Sequence, residues 1–391
     1  PRQVTRTIDL RPGDFVIGER ALFGIGENMD LAPLNEKTGY ARWMKSQGLP
    51  IHVGHGMADL RTLEVAPYER LGGKAAFIQL HGMQGITGGY IGEIAPGDAL
   101  KPERHLYEEV ICILSGQGAT ELWDDHEHKK MFEWNTWSLF APPMNTTHRL
   151  VNGSREPVRF LAVTNAPLAF DIYRDENFVF DCPYTFKDRF FGEEDYFDVG
   201  KKRYVSGLIN IWETNFIPDI KTAFLENLEV KGAGLRLAQF EMAGNALVGH
   251  LGEWPVGKYH KAHYHGPGAI IVGTQSIGYV LLWHKQWGLH PYTDGHEDKV
   301  TEIKWGEGSI YCPPGDWFHQ HFNAGKEPAR HLAIRYGSRI YPLGFKVSHQ
   351  KTDDDVFRSV EEGGWMIPYE NEDPQIATRY KAALKANGVA P

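Results

Sequence analysis

Cysteine is nearly absent: Cys112, Cys182 and Cys312 are the only three in 391 residues. They are far apart and odd in number, which argues against a disulfide framework and suits a reducing compartment. Long hydrophobic runs are also lacking, and none approaches the roughly 20 residues a membrane-crossing helix needs. Nor is there an excess of positive charge. Lys and Arg number 41 against 50 Asp and Glu, a formal net charge of −9. That balance argues against a general binder of nucleic acid or other polyanions. The first residues, Pro1-Arg2-Gln3, show no signal-peptide pattern. The expectation is a cytoplasmic protein with neither nucleic-acid nor membrane partners.

Turn chemistry is abundant instead. The chain has 43 Gly and 23 Pro, and they punctuate short Val/Ile/Leu/Tyr/Trp runs, so it reads as mainly β. Hydrophobic residues at 42% and charged residues at 23% are the balance of a globular chain. The length allows two or three domains with a substantial core.

The strongest signal is an internal repeat. Gly92-Glu93 corresponds to Gly252-Glu253, Gly97 to Gly257, His105 to His265, Gly118 to Gly278 and Trp123 to Trp283, all at one offset. After a longer hairpin in the second copy a new offset holds. Pro142-Pro143 then corresponds to Pro313-Pro314, His148 to His319, Asn152 to Asn323, Glu156-Pro157 to Glu327-Pro328 and Arg159 to Arg330. Two copies of one β unit follow. Strand-like runs stand between turn signals at 119–123, 138–141 and 158–163, and closing such strands into a barrel protects their edges.

The spacing of Pro96-Gly97, His105, Glu109, Gly116, Pro143, His148 and Asn152 resembles the paired motifs of the cupin superfamily. Gly257, His263, His265, Pro314, His319 and Asn323 repeat it. The resemblance implies a bicupin: two jelly-roll-type β-barrels in tandem, with a metal inside one or both. The expected organisation is an N-terminal arm over 1–74, barrel 1 over 75–165, an aromatic-rich linker over 166–234, barrel 2 over 235–345 and a tail over 346–391. The arm carries a short helix near Thr38–Met44, and the tail a surface helix over 374–387. Asp353-Asp354-Asp355 reads as a helix cap or solvated turn. Pairing into dimers or larger homo-oligomers is expected by resemblance.

The candidate sites are unequal. Residues i and i+2 of a strand share a face, so His263 and His265 can point together, with His319 approaching from another strand. Ala269 stands where the usual cupin glutamate would be, which leaves three neutral imidazoles and open positions on an ion. The set resembles those of gentisate-type ring-cleaving dioxygenases. In the first copy Glu103 replaces the first histidine, and Glu103, His105, Glu109 and His148 are the candidate ligands. Around the second site His321, Arg335 and His260, which sits three residues before His263 and is expected at the barrel mouth, are candidates for proton transfer or substrate contact. Arg330 mirrors Arg159 and reads as structural, and Cys312 reads as a buried, inert thiol. Trp254, Trp283, Trp287, Trp305 and Trp317 read mostly as core.

The leading functional expectation is a non-haem Fe2+ dioxygenase acting with O2 on a small, aromatic or hydroxylated carboxylic acid. The alternative keeps an ion (Mn2+, Ni2+ or Zn2+) and removes O2, giving a lyase, decarboxylase, hydrolase or isomerase. A non-enzymatic binding bicupin is the third reading.

Overall fold

Period-two alternation explains why the second copy folds as a hollow unit with two different faces. Along Ala329–Tyr336, Ala329 and Ala333 face the interior cluster with Trp254, Val280, Leu282 and Tyr311. Leu332 and Ile334 turn the other way, into a larger core that also holds Ile78, Leu139 and Leu161 from the first copy. Each copy therefore has its own interior, and one apolar seam joins the two.

This arrangement comes from a computed structural model that describes residues 38–83, 85–198, 202–206, 209–266, 268–341 and 358–390. In the first copy the large sheet runs, in spatial order, Ile51–Gly54, Gly73–Leu80, Gly88–Ile94, Val158–Thr164, Glu109–Ser115, Leu139–Phe140 and Phe216–Ile217. A smaller sheet of Thr147–Val151, Gln117–Trp123 and Lys129–Asn135 closes it. In the second copy the large sheet runs Lys202–Ser206, Ile209–Glu213, Arg236–Glu241, Leu247–Trp254, Ala329–Tyr336, Ile270–Gln275, Ile310–Tyr311 and Gly56–Met57. Thr301–Trp305, Gly278–His284 and Trp317–Asn323 form its smaller partner. The chain is mainly β, with two tandem jelly-roll-type barrels.

The barrels are interlocked by exchange. Phe216–Ile217, which leads into the second copy, pairs with Leu139–Phe140 of the first. Gly56–Met57, which leads into the first, pairs with Ile310–Tyr311 of the second. Gly56 has no room for a side chain, because a Cβ would lie 2.5 Å from the Ile310 carbonyl oxygen.

The helix expected near residue 40 spans Gly39–Ser46, capped by Thr38, whose hydroxyl accepts the Ala41 N–H. Its Trp43 stacks on Phe170 of the linker at 4.4 Å. Much of the linker is packed, as its aromatic density implied: Phe170, Phe180, Phe190 and Tyr196 are buried, whereas Tyr173, Phe178, Tyr184 and Phe191 are exposed. The C-terminal helix is Pro374–Ala386. It is less of a surface element than its Ala/Lys composition suggested. Ile376, Tyr380 and Leu384 are buried against Tyr279, Trp283 and Phe322, and Tyr380 Oη donates to the Asn323 carbonyl at 2.6 Å. Residues 1–37 of the arm and Asp353-Asp354-Asp355 lie outside the described residues.

Candidate metal centres

His263 and His265 are not on a regular strand. Residues 258–265 run antiparallel to Trp317–Asn323 through separated hydrogen bonds. Asn323 N–H reaches Lys258 O at 3.2 Å, and His260 N–H reaches His321 O at 2.9 Å. His263 and His319 exchange bonds of 3.2 and 2.9 Å, and Asp316 N–H reaches His265 O at 3.1 Å. Positions 260 and 263 are one residue further apart than their partners 321 and 319. This bulge brings His260 and His263 to the same side of the segment.

The first barrel has the same ladder. Asn152 N–H reaches Asp98 O at 2.8 Å, Leu100 N–H reaches Leu150 O at 2.9 Å, Glu103 and His148 exchange bonds of 3.0 and 2.9 Å, and Asn145 N–H reaches His105 O at 2.9 Å. The repeat thus holds bond for bond. It equates Leu100 with His260, Glu103 with His263, His105 with His265, His148 with His319 and Leu150 with His321.

In the second barrel the three expected imidazoles meet. One nitrogen from each of His263, His265 and His319 lies within 4.8 Å of the others. His263 Nδ1 is 3.0 Å from Lys261 O and His319 Nδ1 is 3.1 Å from Trp317 O. A carbonyl only accepts, so both Nδ1 atoms carry the proton and both Nε2 atoms present lone pairs. Burial and the Lys231 charge keep His263 well below the ordinary imidazole range, and burial takes His319 down to about 3. The rings are therefore neutral, as ligands must be. His265 is only half-buried, which leaves one side open. Ala269 is buried and contributes no oxygen. This donor set fits a borderline transition ion such as Fe2+, Mn2+, Ni2+ or Zn2+.

The first barrel holds a second cluster, His105, Glu109 and His148, also within 4.8 Å. Glu109 Oε2 lies 3.6 Å from His105 Nε2 and 3.5 Å from His148 Nε2. His105 Nδ1 donates to Tyr107 O at 2.9 Å and His148 Nδ1 to Thr146 O at 3.0 Å. All three facing atoms are buried and have no hydrogen-bond partner among the described residues. Two lone pairs aimed at a carboxylate repel unless a cation or a proton sits between them. The carboxylate holds His148 above its usual range against burial, and both imidazoles hold Glu109 far below the carboxylate range. Two histidines and one carboxylate are the donors of a facial triad, and they fit a divalent ion. Glu103 does not join them. It forms an ion pair with Arg70 at 2.9 Å, so the expected fourth ligand is given to a neighbouring cation.

The outer candidates fall in different places. His260 is not at the barrel mouth as its spacing suggested. It lies deep, edge-on to Trp254 at 4.4 Å and 5.2 Å from the His321 ring. His321 faces the interior beside His319, with ring centroids 5.5 Å apart, and its Nδ1 is 2.9 Å from the Tyr311 hydroxyl. His331, absent from the sequence reading, completes this group at 5.3 Å from His321. Burial drives His260 and His321 well below the imidazole range and takes His331 down to about 3. Arg330 is structural: it binds Glu253 and the carbonyls of Ile220 and Ala223. Cys312 is fully buried and its thiol is pushed up by burial. Trp254, Trp283 and Trp305 are core, and Trp287 and Trp317 pack partly buried against it.

The sequence reading also missed Lys231. Its Nζ lies 3.3 Å from His263 Nε2. Burial and the repulsion of Arg335 bring this amine down to about 7, and burial takes Arg335 itself to about 10.

No protein-family model matches this chain, and no curated protein matches it. Among solved structures it is similar to a tryptophan-to-tyrosine variant of Bacillus subtilis oxalate decarboxylase. Identity is 13% and the TM-score 0.46, over 71% of this chain and 76% of that one. A serine-to-alanine variant of the same enzyme gives 13%, 0.45, 71% and 77%. At such scores the fold rests on this chain's own strand order, and the reaction on its own residues.

Proposed function

We propose that this protein is a metal-dependent enzyme acting on a small, oxygen-rich acid, with a divalent transition ion held by His263, His265 and His319. The observation that carries the reading is the convergence of three imidazoles, two of them fixed by Nδ1–H bonds to backbone carbonyls, beside the Lys231 amine. When bound, the ion supplies Lewis-acid polarisation of a coordinated oxygen.

The chain supplies positioning and proton handling. Lys261 O and Trp317 O fix the planes of two ligand rings. Lys231 holds a proton at Nζ against the ligand position. Trp254, Trp305 and Tyr311 keep water from the deep end. An amine in that place suits proton transfer to or from a substrate carbon or oxygen. The leading reaction class is therefore the non-oxidative one: lyase, decarboxylase, hydrolase or isomerase, with Mn2+, Zn2+, Ni2+ or Fe2+. The His105, Glu109 and His148 cluster is a second, more enclosed ion position under the same reading.

A second reading is the Fe2+ dioxygenase. The half-buried His265 and the absence of a carboxylate from this cluster among the described residues support it, because open positions suit joint binding of substrate and O2. One experiment separates the two. Protein reconstituted with Mn2+ or Fe2+ is screened against small hydroxy-, keto- and dicarboxylic acids and hydroxylated benzoates, under air and under argon. The non-oxidative class predicts equal turnover in both atmospheres and loss of turnover in Lys231→Met. Turnover that needs O2 overturns it in favour of the dioxygenase. No turnover of any acid with either ion counts against both.

A further inference from the structure

The two barrels form an internal comparison, because each position of one has a partner in the other. In the first barrel Leu71, Tyr90, Glu103, Tyr107 and Thr164 help to wall a cavity of ≈ 20 Å³, beside the cluster whose Glu109 accepts from Tyr90 Oη at 2.8 Å. Backbone register identifies the same wall in the second barrel. Lys101 N–H reaches Leu71 O at 2.9 Å and Lys261 N–H reaches Lys231 O at 2.7 Å, which equates Leu71 with Lys231. Tyr90 pairs across the sheet with Ala162 as His250 pairs with Ala333. Thr164 pairs with Gly88 as Arg335 pairs with Val248. A leucine, a tyrosine and a threonine in one barrel are thus a lysine, a histidine and an arginine in the other.

We propose that Lys231 and Arg335 form an acid-binding subsite, so that the second barrel takes an organic dianion. One acidic group faces the His263–His265–His319 position and the other lies between the two cations. The proposal rests on the metal reading above for the first group only.

Geometry supports it from two directions. Lys231 Nζ is already at 3.3 Å from a ligand nitrogen, so an anion that touches this amine also reaches the ion position. Arg335 shares the inward face of its strand with His331, two strand periods earlier, whose ring meets Trp254 and His321 inside the barrel. Two like charges on one wall repel, and a carboxylate between them turns that repulsion into two attractions. A planar guanidinium offers such a group two parallel N–H donors. Of the charged groups facing this wall, Glu241 also acts on Arg335, and its Oε1 accepts the Arg339 N–H at 2.6 Å. His250, kept neutral by burial and by its cationic neighbours, can donate or accept without adding charge.

The test uses intact, Mn2+-loaded protein and calorimetric titration with malonate, succinate and glutarate against propionate, butyrate and valerate. Lys231→Leu and Arg335→Thr install the residues that the first barrel already carries. At least one dicarboxylate is expected to bind ten-fold or more tightly than its monocarboxylate analogue. Each substitution should cut that preference at least ten-fold, with Mn2+ content unchanged. Loaded wild-type protein with no preference for dicarboxylates overturns the subsite, and so does a preference that survives both substitutions. If Lys231→Leu does not fold, Lys231→Gln and the wild-type panel decide. Mn2+ content is read on the same samples. Wild-type protein that takes up no ion refutes the metal reading and the bridging of a dianion between ion and subsite, whereas a loaded protein that fails to discriminate refutes the subsite alone.

Discussion

Arg330 and Arg335 lie on one strand, and the account gives them opposite jobs, so Arg330→Met is an informative substitution. Arg330 is only 5% exposed. Its Nη1 binds Glu253 Oε2 at 3.0 Å, its Nε donates to Ile220 O at 2.8 Å and its Nη2 donates to Ala223 O at 2.5 Å. Arg159 does the same in the first barrel, with Glu93 and the carbonyls of Arg61 and Leu63. Each arginine therefore pins the segment that leads into its own barrel. Methionine keeps much of the apolar stem but leaves a carboxylate and two carbonyls without this donor. Breaking a buried pair by removing one partner costs about 3–5 kcal/mol. Glu253 keeps Arg236 at 3.6 Å and is 20% exposed, which places the expected loss near the lower end, about 3 kcal/mol. Adding Glu253→Gln should return about 1 kcal/mol of it. Urea unfolding measures both: the midpoint falls and the slope is unchanged. A loss under about 1 kcal/mol, or loss of ion or dicarboxylate binding at unchanged stability, refutes the structural assignment.

Three further outcomes follow from named contacts. Asn323→Ala removes the amide that donates to the carbonyls of Trp254, Pro255 and Glu327; a loss of about 2–3 kcal/mol by urea unfolding is expected, and Asn152→Ala should match it in the first barrel. Asp373→Ala strips a carboxylate from the backbone N–H groups of Tyr292, Thr293 and Gln375, and hydrogen exchange should show the helix Pro374–Ala386 released while the barrels stay protected. These bonds hold Asp373 below the usual carboxylate range. Its contribution is therefore full above an unfolded pKa of about 4 and fades as pH falls through the lower folded value, a decline that Asp373→Asn should lack. Removing bound ions with a chelator should lower the melting temperature by more than about 3 °C, and restoring Mn2+ should reverse it; an unchanged melting curve would count against ion binding in both barrels.

The tandem architecture was legible because the repeat is written in residues with fixed backbone duties. Asn152 and Asn323 each tie the same three kinds of carbonyl, and His148 and His319 occupy the same rung of the ladder. The convergence of His263, His265 and His319 was legible for the same reason. His260 was misplaced because a bulge between 260 and 263 breaks the simple strand count. Glu103 was misassigned because position alone does not show that Arg70, distant in sequence, claims its carboxylate. Lys231 was missed because it precedes the barrel motif in a stretch read as linker. Aligning Leu71-Gly72 with Lys231-Gly232 would have exposed it. The reciprocal exchange of Gly56–Met57 and Phe216–Ile217 had no sequence signal, since two-residue strands carry no periodicity.

The claim that imidazoles 263, 265 and 319 hold an ion is tested most directly by counting ions per chain after loading with Mn2+ and exhaustive desalting. Wild-type protein should carry two ions. His319→Ala should lose one and keep the other, His148→Ala should lose the other, and the double variant should carry none while retaining the far-UV circular dichroism of a β protein. An undiminished count in His319→Ala, with the fold intact, would contradict the account.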